Sequence, residues 1–264
     1  HRALISYGIH RTSYTSDSML AAYLVNLLGR DFSYLGIASR ELGRMMSPHA
    51  QRELTHIFEI AERLEEKIKV QGLDRIYRDI ELPLAPILAE MEARGILYDS
   101  TALVALDKKV TKEIAVLVTA IHKDAGEEFN VNSSQQMSRI LFENLGIAPA
   151  GLRRTEKGGV VSTRESELEK LRARHPIVAK ILDYRELAKL KSTYIDALPA
   201  LVHPTTNRIH STFNQTGTST GRLSSLNPNL QNIPIMSEYG REIRKAFVAD
   251  KGFVLVAADY SQIE

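Results

Sequence analysis

Leu103, Leu106, Val110, Ile114, Leu117 and Ile121 recur at spacings of 3, 4, 4, 3 and 4. A helix, at 3.6 residues per turn, puts such a series on one face; a strand would scatter it over both. The pattern predicts a long amphipathic helix, opened by Asp99-Ser100 as an N-cap and closed near Gly126. An apolar stripe of that length is stable only when another element covers it. A chain carrying it must fold around packed helices.

The flanking sequence supplies those helices. Ser16-Asp17 precedes the apolar stretch Met19, Leu20, Tyr23, Leu24 and Leu27, with Gly29 as its stop. Leu54, Ile57, Phe58, Ala61, Leu64 and Ile68 predict a single helical face ended by Gly72. Pro83 and Pro86 stand near the start of a helix that Gly95 closes. Ser133-x-x-Gln136 and Ser162-x-x-Glu165 read as capping boxes, the first opening a helix to Gly146 and the second a short helix to about Arg174. Residues 148–161, rich in Gly, Pro and charge, read as an exposed loop, and Pro176 suits the first turn of a helix with Ile177, Ile181, Leu182, Leu187 and Leu190 as its apolar positions.

The character changes after Pro204. Arg208 to Gln215 alternates and is rich in β-formers, which predicts a strand. Residues 216–237 hold Thr, Ser, Asn, Gly and Pro with little periodicity, and Glu242 to Phe247 can form a helical turn. Gly252-Phe-Val-Leu-Val-Ala-Ala258 reads as a strand buried on both faces that delivers Asp259 to its C-terminal end. No internal repeat or low-complexity tract interrupts this order.

Composition narrows the chemistry. There is no cysteine in 264 residues, so disulfides, thiolate metal sites, iron–sulfur clusters and cysteine nucleophiles are excluded. The 44% hydrophobic and 25% charged fractions are those of an ordinary globular protein. No apolar run approaches the roughly 18 residues of a membrane span; Ala21 to Leu28 is short and broken by Asn26. The length suits one or two domains, and a start at His1-Arg2 without Met reads as a piece of a longer protein.

The net charge of +2 is unevenly spread. Residues 139–191 hold 12 Lys and Arg against 7 Asp and Glu, a local balance of +5, whereas residues 1–92 hold 11 against 13. The middle of the chain is therefore either the place for an anionic partner such as a phosphate backbone or a solvated helical face. Arg185 and Lys189, four apart, share a face there, with Lys191 two residues on. A carboxylate at the end of a buried strand, such as Asp259, is either a plain turn former or a group compensated by a metal or cation.

The residues after Asp259 separate those alternatives. Asp259-Tyr-Ser-Gln-Ile-Glu264 resembles motif A of family A DNA polymerases, the bacterial DNA polymerase I type. Thr218-Ser-Thr-Gly-Arg-Leu-Ser-Ser225 and Asn227-Pro-Asn-Leu-Gln-Asn-Ile-Pro234 are similar to that family's template–primer segment. Gly240-Arg-Glu-Ile-Arg-Lys-Ala-Phe247 and Leu187-Ala-Lys-Leu-Lys-Ser-Thr-Tyr194 also match, all in family order. A weaker likeness runs through residues 83–186.

The resemblance implies an α+β fold: mostly helical N-terminal and thumb regions followed by the start of an antiparallel-sheet palm. Residues 1–92 would be the C-terminal part of a degenerate 3′–5′ exonuclease-like domain, 93–203 the thumb with its lead-in helices, and 204–264 the first part of the palm. It implies a DNA-directed DNA polymerase, a nucleotidyltransferase of replication and repair that takes primer–template DNA and dNTPs and uses two Mg²⁺ ions. It also implies a monomeric, cytoplasmic, nucleoid-associated bacterial protein with no membrane partner. Asp259 would bridge the metals, Tyr260 would lend its backbone carbonyl, and Glu264 would be the steric gate against a 2′-hydroxyl. The second catalytic carboxylate is not among these residues.

Duplex DNA offers minor-groove acceptors at the same places in every correct pair, so donor side chains there read geometry without reading sequence. Arg222, Gln231 and Asn232 are such donors, and Asn229 can position them or contact the template; the bland alternative is a polar loop satisfied by its own turns. Arg185, Lys189 and Lys191 would meet phosphates, and Arg244 matches a basic position of the family. Where the family often carries Arg, two residues after Pro234, this chain has Met236. The exonuclease pattern Tyr-x-x-x-Asp would fall on His56 and Ile60, which implies a relic domain without metal binding. Rival readings are a non-catalytic DNA-binding fragment, a relic 3′–5′ exonuclease, and a reverse-transcribing relative.

Overall fold

The computed structural model of the chain describes residues 14–43, 56–147 and 162–260, with Ile5, Tyr7, Gly8 and Leu54. It divides into two compact units. The first takes in His1–Tyr98, Leu201–Ile233 and Val248–Glu264, the second Asp99–Ala200 and Pro234–Phe247. The second unit is entered at Asp99 and left at Ala200, and the segment 234–247 then returns to it. Mixed helices and small antiparallel sheets make the fold α+β. Among the described residues no helix is long and apolar enough to cross a membrane.

In the first unit, helix α1 (Ser18–Val25) starts where the Asp17 carboxylate accepts from the amides of Met19 and Leu20, at 2.9 and 3.0 Å. Asn26 caps its far end, before the expected stop at Gly29. Helix α2 (Tyr34–Leu42) is capped by Ser33, and α3 (Ile57–Val70) packs on α1. The buried row on α3 is Ile60, Leu64 and Ile68, whereas Phe58 is 82% exposed. Leu64 and Ile68 are buried as the spacing predicts, but Phe58, which also fits a 3–4 rhythm, faces outward, and Ile60 completes the i, i+4, i+8 row that meets the core of Leu20, Ile37 and Tyr77. Helix α4 (Leu82–Arg94) carries Pro83 in its first turn and stops at Gly95. There φ is +61°, and a Cβ would lie 2.7 Å from the Ile209 carbonyl oxygen, so only glycine fits where the chain turns into its first strand.

That strand, β1 (Ile96–Tyr98), pairs antiparallel with β2 (Arg208–Ile209), Ile96 opposite Ile209. β3 (Thr212–Asn214) pairs with β4 (Ser224–Leu226), Phe213 opposite Ser225. The strand expected over 208–215 is thus two strands in two sheets. The break falls at His210-Ser211, where the Ser211 hydroxyl turns inward and the chain changes partners.

The largest departure from expectation is the segment 252–260. It forms no strand and is exposed throughout, with Phe253 at 75%, Val254 at 80%, Leu255 at 59% and Val256 at 84%. A strand exists only with a neighbour to share its N–H and C=O groups, and no strand among the described residues pairs with this one.

The second unit is built on helix α5 (Val104–Ala125), closed by Gly126 in the left-handed region as the periodicity predicts. Its start differs: Asp99 accepts from the Thr101 amide and hydroxyl in a turn, and the helix begins past Leu103 without a side-chain cap. Helix α6 (Pro176–Leu190), with Pro176 at its first position and His175 Nδ1 accepting from the Ile177 amide, packs along α5. Ile121, Met137, Ile140, Leu168, Ile177 and Ile181 form the shared core. Of the two capping boxes, Ser133 accepts from the Gln136 amide, but the Gln136 side chain accepts from Asn130. Ser162 accepts only from the Arg164 amide, and Glu165–Glu169 begins without a side-chain cap. The 148–161 loop lies outside the described residues.

Helix α7 (Glu238–Lys245), capped by Ser237, is longer than the turn expected over 242–247. Its Tyr239 hydroxyl bonds the Glu113 carboxylate of α5, and that carboxylate pushes the phenol up to about 12. Lys109 closes the arrangement, 2.9 Å from Glu238 and stacked over the Tyr239 ring.

Candidate nucleic-acid interface

The strands β3 and β4 form a hairpin followed by a tight polar turn over 227–231. Two serines that composition gave no reason to single out hold it. Ser211 and Ser225 are 4% and 0% exposed, and their hydroxyls lie 2.7 Å apart. Both approach the Pro228 carbonyl, at 2.8 and 3.1 Å, and the Leu230 amide donates to Ser225 Oγ at 3.1 Å. A buried hydroxyl must find partners or cost free energy; here the partners are the backbone of the turn, so the pair fixes its path. The one trace of it in the sequence is Ser211 at an inward position of an alternating run; its bond to Ser225, two residues off the direct pairing, is visible only in the fold.

The four expected DNA-binding side chains of this segment, Arg222, Asn229, Gln231 and Asn232, all lie exposed in the first unit within eleven consecutive residues. Asn229 Oδ1 accepts from the Gln231 amide at 3.0 Å, and Gln231 Nε2 donates to the Leu223 carbonyl at 3.1 Å. The second side-chain N–H of Gln231 adds a donor to that surface. The hairpin therefore presents polar donors on a backbone fixed from beneath.

The cations of the second unit are placed differently from one another. Arg185 is half-buried: its guanidinium bonds Thr163 and lies 3.0 Å from Met137 Sδ, and burial pushes its pKa down. Lys191 is held between Asp107 and Asp196, whose carboxylates raise its pKa; it opens a π-helical stretch, Lys191–Ile195, that continues α6. Lys189 is exposed. The Arg185–Lys189–Lys191 series is thus not one open basic stripe. Arg244 is exposed on α7, its Nε donating to the Pro234 carbonyl at 3.4 Å, and Met236 is 88% exposed.

Asp259 and Tyr260 are exposed at the end of the unpaired segment, and Glu264 lies outside the described residues. A carboxylate and a backbone carbonyl are oxygen donors that suit a hard cation such as Mg²⁺ in kind. Among the described residues, however, no group of three or more His, Asp or Glu side chains gathers where it could hold a metal. Where the exonuclease-like pattern would need Tyr and Asp, His56 sits at the start of α3 and Ile60 is fully buried in the core.

Residues 100–264 match the sequence profile of the family described as DNA polymerase family A. A thermostable DNA polymerase I from Thermus filiformis is 49% identical over 253 residues, covering 95% of this chain and 29% of that protein. A DNA polymerase I from Chloroflexus aurantiacus is 47% identical over 242 residues, 90% of this chain and 26% of that one. Among solved structures, the POL domain of Pol1 from M. smegmatis, in complex with DNA primer-template and dNTP, superposes with a TM-score of 0.80 at 35% identity, covering 90% of this chain and 42% of that chain. The chain spans less than a third of the length of these curated relatives.

Proposed function

We propose that this chain, which belongs to DNA polymerase family A, is the part of a bacterial DNA polymerase I that grips the primer–template duplex and begins the catalytic centre. The whole protein would extend a DNA primer on a DNA template with dNTPs in replication and repair. The observation that carries this reading is the exposed set Arg222, Asn229, Gln231 and Asn232, on a hairpin and the stretch after it, with a buried serine pair beneath. Rigid donors of that kind can sense the acceptors common to all correct base pairs and so grip any sequence.

Each part takes a role. Residues 1–92 would be a relic exonuclease-like domain: Ile60, inside the core, can offer no ligand to a metal. The helices α5 and α6 would belong to the thumb, and the strands after 204 to the palm. The Asp259 carboxylate and Tyr260 carbonyl would hold Mg²⁺, which supplies neutralisation of the charge that develops on the reacting phosphates. Glu264 would fill the space a 2′-hydroxyl needs. Lys189 and Arg244 would meet phosphates; Arg185 and Lys191, already held by internal partners, would do so only by exchanging them.

Taken alone, the chain is expected to bind primer–template weakly, without sequence preference, and to incorporate nothing. Two phosphate contacts, from Lys189 and Arg244, give a log–log salt slope of about −1.8 and a loss of about twelvefold in affinity between roughly 50 and 200 mM salt. Titrating labelled primer–template into the purified chain at several salt concentrations measures this. Salt-independent binding would contradict the phosphate contacts, and templated incorporation would contradict the incomplete metal site.

A further inference from the structure

The hairpin that carries Arg222 is tied down from the other end of the sequence. The buried Tyr23 of α1, its ring edge-on to Phe32 at 5.7 Å, donates its hydroxyl to the Thr218 carbonyl at 2.9 Å, across 195 positions. Thr218 Oγ1 in turn donates to the Arg222 carbonyl at 2.8 Å, closing the 218–222 turn. On the β3 side, the Phe213 amide donates to Glu92 Oε1 at 2.6 Å, and Gln215 Nε2 donates to Glu81 Oε2 at 2.7 Å and to the Glu81 carbonyl at 3.0 Å. Three side chains from the segment before residue 95 thus meet the backbone or side chains of the hairpin at 213, 215 and 218.

We propose that Tyr23, Glu81 and Glu92 are positioning residues for duplex binding: the N-terminal segment holds the 213–222 hairpin in the geometry from which Arg222 and the 229–232 donors meet the duplex. This rests on the polymerase reading given above. A loop that must order itself on binding loses affinity by the cost of that ordering, and pre-ordering removes the cost. The bonds suit the purpose. They engage the backbone at 213 and 218 and the Gln215 side chain, and none of them takes up the side chains of Arg222 or the 229–232 donors. A relic domain that has lost its metal site would on this account be kept as a brace.

The test uses a full-length polymerase carrying this segment, with Tyr23→Phe, Glu92→Leu and Glu92→Gln. Tyr23→Phe keeps the ring packing on Phe32 and removes one donor. Glu92→Gln keeps an acceptor oxygen for the Phe213 amide and serves as the conservative rescue of Glu92→Leu. At a temperature where each variant is fully folded, Tyr23→Phe and Glu92→Leu are expected to raise the primer–template Kd by about three- to tenfold, the scale of one lost hydrogen bond. Turnover at saturating DNA, the KM for dNTP and the salt slope stay unchanged, because neither the chemistry nor the number of phosphate contacts changes, and Glu92→Gln stays near the unsubstituted protein. Unchanged Kd in both Tyr23→Phe and Glu92→Leu, or a reduced salt slope, would overturn the proposal. Absence of salt-dependent binding by the unsubstituted protein would instead overturn the polymerase reading beneath it.

Discussion

Replacing Asp259 with Asn in the full polymerase should lower templated primer extension by at least about a thousandfold while leaving primer–template affinity within about twofold. The substitution keeps the size of the side chain and removes its charge. An amide oxygen is a poor holder of a hard divalent cation compared with a carboxylate, and the charge developing on the phosphates is then left uncompensated. A thousandfold corresponds to about 4 kcal/mol of transition-state stabilisation, which is the scale expected of one such electrostatic element. Affinity should hold because the proposed grip is elsewhere: the donors of 222–232 lie on the hairpin and the serine-pinned stretch that follows it, not on the segment that carries Asp259. Single-turnover extension and equilibrium binding, measured side by side, separate the two effects. Extension by Asp259→Asn within tenfold of the unsubstituted enzyme would remove Asp259 from the role.

Glu264→Ala should relax the choice of sugar. A ribonucleotide differs from a deoxyribonucleotide here only by a 2′-hydroxyl, and a side chain filling that space rejects it by clash. Truncation to a methyl group removes the clash and should lower the preference for dNTP over rNTP by about a hundredfold, the discrimination a shaped pocket typically achieves. The ratio of kcat/KM for a matched dNTP and rNTP measures it. A ratio unchanged from the parent would assign the discrimination to another residue.

The helical half was readable because periodicity is a local signal. The series from Leu103 to Ile121 specified α5 and its end at Gly126 before any partner was known. What periodicity could not fix was which of two neighbouring rows faces inward, as Phe58 and Ile60 illustrate: that is decided by α1, distant in sequence. The 252–258 run shows the limit for strands. Its composition suits a sheet interior, but a strand is completed by neighbours, and none among the described residues provides them.

The candidate site divides along the same line. Arg222, Asn229, Gln231 and Asn232 were legible as motif residues, and the structure places all four on the surface. Ser211, Ser225 and Tyr23 were not, because each acts through a contact that sequence order hides: a serine bonded to a serine diagonally across a hairpin, and a tyrosine reaching a carbonyl 195 residues away. Arg185 shows a related limit. Its i, i+4 spacing with Lys189 is plain in the sequence, but Thr163 and Met137, which take up its guanidinium, belong to other segments.

Template-directed extension tests the central claim most directly. A full-length protein carrying this segment, given a labelled primer, Mg²⁺ and each dNTP singly on four templates that differ in the first unpaired base, should add the complementary nucleotide on every template and little else. The rates on the four templates should be comparable if, as proposed, the 222–232 donors read pairing geometry and not sequence. No incorporation, or incorporation indifferent to the template base, would contradict the account.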